Sequence, residues 1–159
     1  MKIVSLFFFL ILFIVRTDSV SADCSTPLVA GDYSMEMEWR DSFDGGHLLG
    51  KLELGASGNA VLRGARLLYK NSFGRVTEVE GFARGQFGMA QMCTGFLNLS
   101  LTERSSNSVV GEIETYIVAS GDRVDTNLSG FGSASITVSD SITRREGLFV
   151  SVSLKKMRL

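Results

Sequence analysis

Histidine is almost missing from this chain of 159 residues: His47 is the only one. A multi-histidine metal centre is therefore excluded, and with two cysteines so is a four-cysteine zinc site. The cysteines are not spaced Cys-x-x-Cys, so dithiol redox catalysis has no motif. No serine stands in a Gly-x-Ser-x-Gly setting, which removes the nucleophile elbow of one large hydrolase class. Asp41 and Asp44 sit beside glycines but lack the ligand spacing of an EF-hand, and read as Asx-turn residues. An excess of one charge is missing too: Lys+Arg number 16 and Asp+Glu 17. Nothing electrostatic draws such a chain to nucleic acid or to an anionic membrane. No catalytic constellation, metal site or cofactor motif emerges.

One long apolar run is present, Ile3 to Val15, broken only by Ser5. Met1-Lys2 precede it and the small residues of Val20-Ser21-Ala22 follow, the pattern of a cleaved secretory signal over residues 1–22. The run is shorter than the ~20 residues of a membrane helix, and Arg16 and Asp18 close it. Asp23 rather than Cys24 would open the mature chain, which argues against a lipid-bearing cysteine. Residues 23–159 then form one domain. Losing Lys2, Arg16 and Asp18 takes Lys+Arg from 16 to 14 and Asp+Glu from 17 to 16, a mature net charge of −2. Export implies an oxidising place, secreted or periplasmic, where two cysteines most simply form one disulfide, Cys24–Cys93. Closing so long a loop stabilises by about 4 kcal/mol in the chain-entropy picture. The sequons at Asn98 and Asn127 accept glycans only in a eukaryotic secretory pathway, and read here as ordinary surface sequence.

Beyond the leader, period-two alternation dominates. In Tyr33-Ser34-Met35-Glu36-Met37-Glu38-Trp39-Arg40 the apolar side chains share one face and the polar ones the other. Further strands are predicted over His47–Leu54, Ala60–Lys70, about Arg75–Phe87, Cys93–Thr102, Val109–Ala119, about Arg123–Val138 and Leu148–Met157. The seventh is expected to bend or break near Gly130 and Gly132, and Ser139–Gly147 is expected to be a long polar loop. Leu48, Leu49, Leu67 and Leu68 put apolar residues on both faces of strands two and three, leaving their inward side open. No stretch shows a helical period. Eight strands with short turns predict an all-β fold: an antiparallel up-and-down meander closed into a barrel, or alternatively a two-sheet sandwich.

Gly31-Asp32-Tyr33 running into an alternating strand that ends at Trp39 resembles the opening strand of lipocalins and avidins, small secreted up-and-down barrels. Gly31-Asp32-Tyr33-Ser34, Gly58-Asn59-Ala60 and Cys93-Thr94-Gly95-Phe96 also resemble a group of small secreted bacterial proteins of unknown function. Tyr33 stands where lipocalins carry Trp, and one Trp cannot supply the tryptophan lid of the avidins. The resemblance implies a fold and leaves the ligand open.

The stripe Tyr33, Met35, Met37, Trp39 is the candidate ligand-binding surface, joining flexible thioethers to amphipathic rings. Three functions follow. The first is a secreted, non-catalytic barrel holding a small apolar or amphipathic ligand inside. The second is a secreted protein-binding barrel, an inhibitor or envelope-associated partner, with a filled core. The third is an eight-stranded outer-membrane barrel with that stripe facing lipid and Glu36, Glu38, Glu112 and Glu114 enclosed. The pairs Glu78/Glu80 and Glu112/Glu114 read as solvated faces, as does Arg144-Arg145-Glu146. His47 reads as an exposed loop residue. If Cys93 lies on the inward face, residues Cys24–Ala30 should strap one end of the barrel.

Overall fold

The computed structural model describes residues 24–40, 45–70, 74–90, 92–119, 127–137 and 144–157. A one-turn helix, α1 (Thr26–Val29), precedes β1 (Gly31–Arg40), β2 (Gly45–Leu54), β3 (Asn59–Lys70), β4 (Val76–Met89), β5 (Thr94–Glu103), β6 (Val109–Ala119), β7 (Asn127–Thr137) and β8 (Arg144–Lys156). Each strand pairs antiparallel with the next, and β8 pairs with β1, so the meander is a closed barrel and not a sandwich. Closure leaves no open edge for another chain to extend. Register shifts at Leu49/Lys51, Leu62/Ala65, Leu101/Thr102 and Ala134/Ile136 supply local coiling that helps the sheet turn on itself.

The alternation read from sequence sets inside and outside. Tyr33, Met35, Met37 and Trp39 are buried in the core, while Ser34, Glu36 and Arg40 are exposed. Leu97, Leu99 and Leu101 from β5, Ile113 and Ile117 from β6, and Val150, Val152 and Leu154 from β8 join them. Leu48 and Leu67 point in; Leu49 and Leu68 lie on the outer face, which settles strands two and three. Thr115 is the one buried polar side chain among the described residues, and its hydroxyl donates to the Leu97 carbonyl at 3.0 Å.

Three expectations are corrected. β7 is continuous through Gly130 and Gly132. A Cβ at either would overlap a β6 carbonyl oxygen, of Tyr116 or of Glu114, so these glycines permit close approach to β6 rather than a break. β8 begins at Arg144, which places Arg144, Arg145 and Glu146 in a strand and not in a loop. Cys93 is not the first residue of β5. It holds a left-handed φ of 59° in the turn before it, where its N–H donates to the Ala90 carbonyl.

The Cys24–Cys93 disulfide is present, with Cα atoms 4.8 Å apart. Such a bond is consistent with an oxidising compartment. The segment behind Cys24 straps one end of the barrel as expected, but as a helical turn. Val29 is buried, its carbonyl accepts the Tyr33 hydroxyl at 2.6 Å, and the Met89 N–H donates to Thr26 Oγ1 at 3.0 Å. Residues 1–23, with the leader, lie outside the described residues, as do Asp41 and Asp44.

Candidate functional site

Inside the barrel the predicted stripe is brought together and packed shut. Tyr33 and Met37 have no surface that water can reach, and Met35 and Trp39 have 1% and 2%. A void of ligand size would leave area on the side chains that line it, and these have almost none. The Trp39 ring covers Gly46, its cross-strand partner, so closely that a Cβ there would overlap the ring. One chemical loose end remains: the buried Trp39 Nε1 has no hydrogen-bond partner among the described residues.

The outer surface divides into two walls. On β1–β4 many of the outward residues are charged, and several of them form ion pairs. Lys51 meets Asp32 at 2.5 Å, Arg63 meets Glu53 at 3.2 Å and Arg66 meets Glu78 at 2.6 Å. The hydrogen bond and charge of Glu78 hold the Arg66 guanidinium above its ordinary pKa. The outward ring of Phe82 is covered by the Arg84 guanidinium, 5.5 Å from its centroid.

Of the two expectations for His47, loop residue or strand residue, the second holds, because β2 begins at Gly45 and includes it. Register sets it opposite Glu38, with Nδ1 3.4 Å from the carboxylate. With Glu36 the three offer ligand atoms within 4.8 Å of one another, the group among the described residues best placed to hold a metal ion. All three are partly or fully exposed, and the direct His47–Glu38 contact already accounts for the pair.

On β5–β8 each strand carries an outward aromatic side chain, with Glu112 and Glu114 of β6 and Lys155 of β8 exposed among neutral neighbours. Register puts Phe96 opposite Tyr116 and Tyr116 opposite Phe131, one ring per strand. Phe149 of β8 lies one pair along, opposite Ser133, and its ring stacks on Phe131 with centroids 6.4 Å apart. These rings are largely in solvent: Phe96 42%, Phe131 55%, Tyr116 69% and Phe149 69% exposed. Phe96, Tyr116 and Phe149 line a groove of about 630 Å³ with Asn98, Glu114 and Ser133.

No family model, no curated protein and no solved structure matches this chain. Its chemistry must therefore be read from its own two walls and its core.

The aromatic row was missed by sequence reasoning, although a signal existed. Once Leu97, Leu99 and Leu101 are set inward, Phe96 must point out; the same parity exposes Tyr116, Phe131 and Phe149. The inner stripe drew attention instead, because its apolar residues are contiguous in sequence.

Proposed function

We propose that this chain is an exported, non-catalytic barrel that binds another protein through the aromatic groove on the outer wall of β5–β8, its interior serving as a filled core. One observation carries the reading: four aromatic side chains from four consecutive strands stand exposed side by side, three in cross-strand register and Phe149 one pair along. Soluble proteins seldom leave so contiguous an aromatic surface bare unless something covers it. Tyr and Phe are also among the side chains enriched in protein interfaces. The packed interior supports the same reading, since it offers an inner ligand no room without rearrangement. The disulfide and the apolar leader support export.

The outer-membrane alternative fits poorly. Glu36, Glu78, Glu80, Glu112 and Glu114 face outward, where a membrane barrel carries an apolar band. An interior ligand is favoured by the partnerless Trp39 Nε1 alone, which an acceptor atom on such a ligand would satisfy.

The test is purification of the chain from its own host with its partners retained, beside a variant carrying Tyr116→Ser, Phe131→Ser and Phe149→Ser. A stoichiometric protein partner on the parent chain, absent from the variant at equal melting temperature, supports the proposal. A small molecule retained equally by both replaces it with the interior reading.

A further inference from the structure

The outer acids of the molecule are not used alike. On the β1–β4 wall Asp32, Glu38, Glu53 and Glu78 each meet a basic side chain or His47, while Glu36 and Glu80 are exposed with no ion pair among the described residues. On β6, Glu112 and Glu114 are exposed and neither forms an ion pair among the described residues. Glu114 lines the aromatic groove, and with Glu112 it also lines a neighbouring groove of about 320 Å³. Arg84 is the cation of that second groove, and it lies over the Phe82 ring. The cross-strand partners of the two acids are neutral: Asn98 and Ser133 for Glu114, Ser100 and Ser135 for Glu112.

Exposed aromatic faces beside carboxylates that form no ion pair among the described residues suit a cationic group. The ring quadrupole and the carboxylate both attract a cation, and the apolar stem of Lys or Arg lies well on an aromatic surface. Anionic partners are repelled by the same pair. Spacing narrows the occupant further. Outward residues i and i+2 of a strand lie roughly 7 Å apart, the interval between same-side side chains of any extended peptide.

Accepting the docking reading above, we propose that the β5–β8 groove receives an extended basic segment of the partner protein. One Lys or Arg side chain of that segment lies between the Tyr116 and Phe149 rings and the Glu114 carboxylate, and the next basic residue but one meets Glu112. Asn98 and Ser133 offer hydrogen bonds to its main chain. The partner is thereby defined chemically, as a chain bearing a Lys/Arg-x-Lys/Arg segment that it can present extended.

The test follows backbone amide shifts of the disulfide-bonded chain while a capped Arg-Ser-Arg-Ser peptide is added, with Glu-Ser-Glu-Ser and a neutral tetrasaccharide as controls. The arginine peptide is expected to shift amides of β5–β8 and to bind at least tenfold more weakly to a Glu112→Gln/Glu114→Gln variant. Its binding should also weaken as salt is raised, and neither control should bind there. Both substitutions are exposed and isosteric, and an unchanged melting temperature verifies the fold. The inference is overturned if the arginine peptide fails to bind, if it shifts β1–β4 instead, or if the double variant binds it equally well. Should the natural partner be lost on removing Tyr116, Phe131 and Phe149 yet kept by the Gln variant, the docking face stands and its cationic chemistry falls. If the partner survives loss of the rings, the docking reading itself falls.

Discussion

The wall formed by β1–β4 and the wall formed by β5–β8 obey the same alternation and cover the same core, yet their outer faces differ in kind. The first pairs many of its charges: Lys51, Arg63 and Arg66 each have an acid, and Arg84 lies over Phe82. The second stacks Phe131 on Phe149, leaves Tyr116 in water and gives Glu112 and Glu114 no ion pair among the described residues. Exposed ion pairs contribute little to stability, and exposed rings contribute less than buried ones. The contrast is therefore hard to explain as architecture. A self-satisfied surface is what a protein presents to solvent; an unsatisfied one is what it presents to a partner.

The comparison can be broken from several directions. The largest effect should come from what both walls share, the closure of the molecule. Reducing Cys24–Cys93, or replacing both cysteines by Ser, is expected to cost about 4 kcal/mol, seen as a lower midpoint in denaturant; an unchanged midpoint would mean the strap carries no stability. Next, Leu97→Ala, which empties a fully buried site behind the aromatic row, should cost about 2–5 kcal/mol in the same assay. The Tyr116→Ser, Phe131→Ser and Phe149→Ser variants, one strand face away, should each stay within roughly 0.5 kcal/mol. Equal losses from inner and outer substitutions would show that the rings are structural and erase the distinction between the walls. Tyr33→Phe removes the hydroxyl that caps the Val29 carbonyl and should cost about 1 kcal/mol, read as earlier melting of the strap by hydrogen exchange. A small effect is expected at Lys51→Gln, which breaks a half-exposed pair on the charged wall and should cost less than about 1 kcal/mol with partner binding intact.

Much of the barrel was legible because period two is a local signal. In β1 the string from Tyr33 to Arg40 states its inner and outer face without help from any other strand. β6 was legible for the same reason, from Val109 to Ala119. The order of pairing followed from short turns and the need to remove both edges. What local pattern cannot carry is register. Phe96, Tyr116, Phe131 and Phe149 are far apart in sequence and become one surface only when four strands are aligned. The same holds for His47 beside Glu38 and Glu36, which meet only when β2 is laid against β1. Gly130 and Gly132 misled in a related way. Glycine in a strand signals a break or a close approach, and only the nearby β6 carbonyls decide between them.

The pairing of β8 with β1 has a consequence for biogenesis. Met37 finds Val152 across the seam, and the Met157 N–H donates to the Asp32 carbonyl at 2.8 Å. A ribosome must therefore finish the last strand before the first can complete its ladder. Until then the first strand lacks the neighbour that closes the barrel.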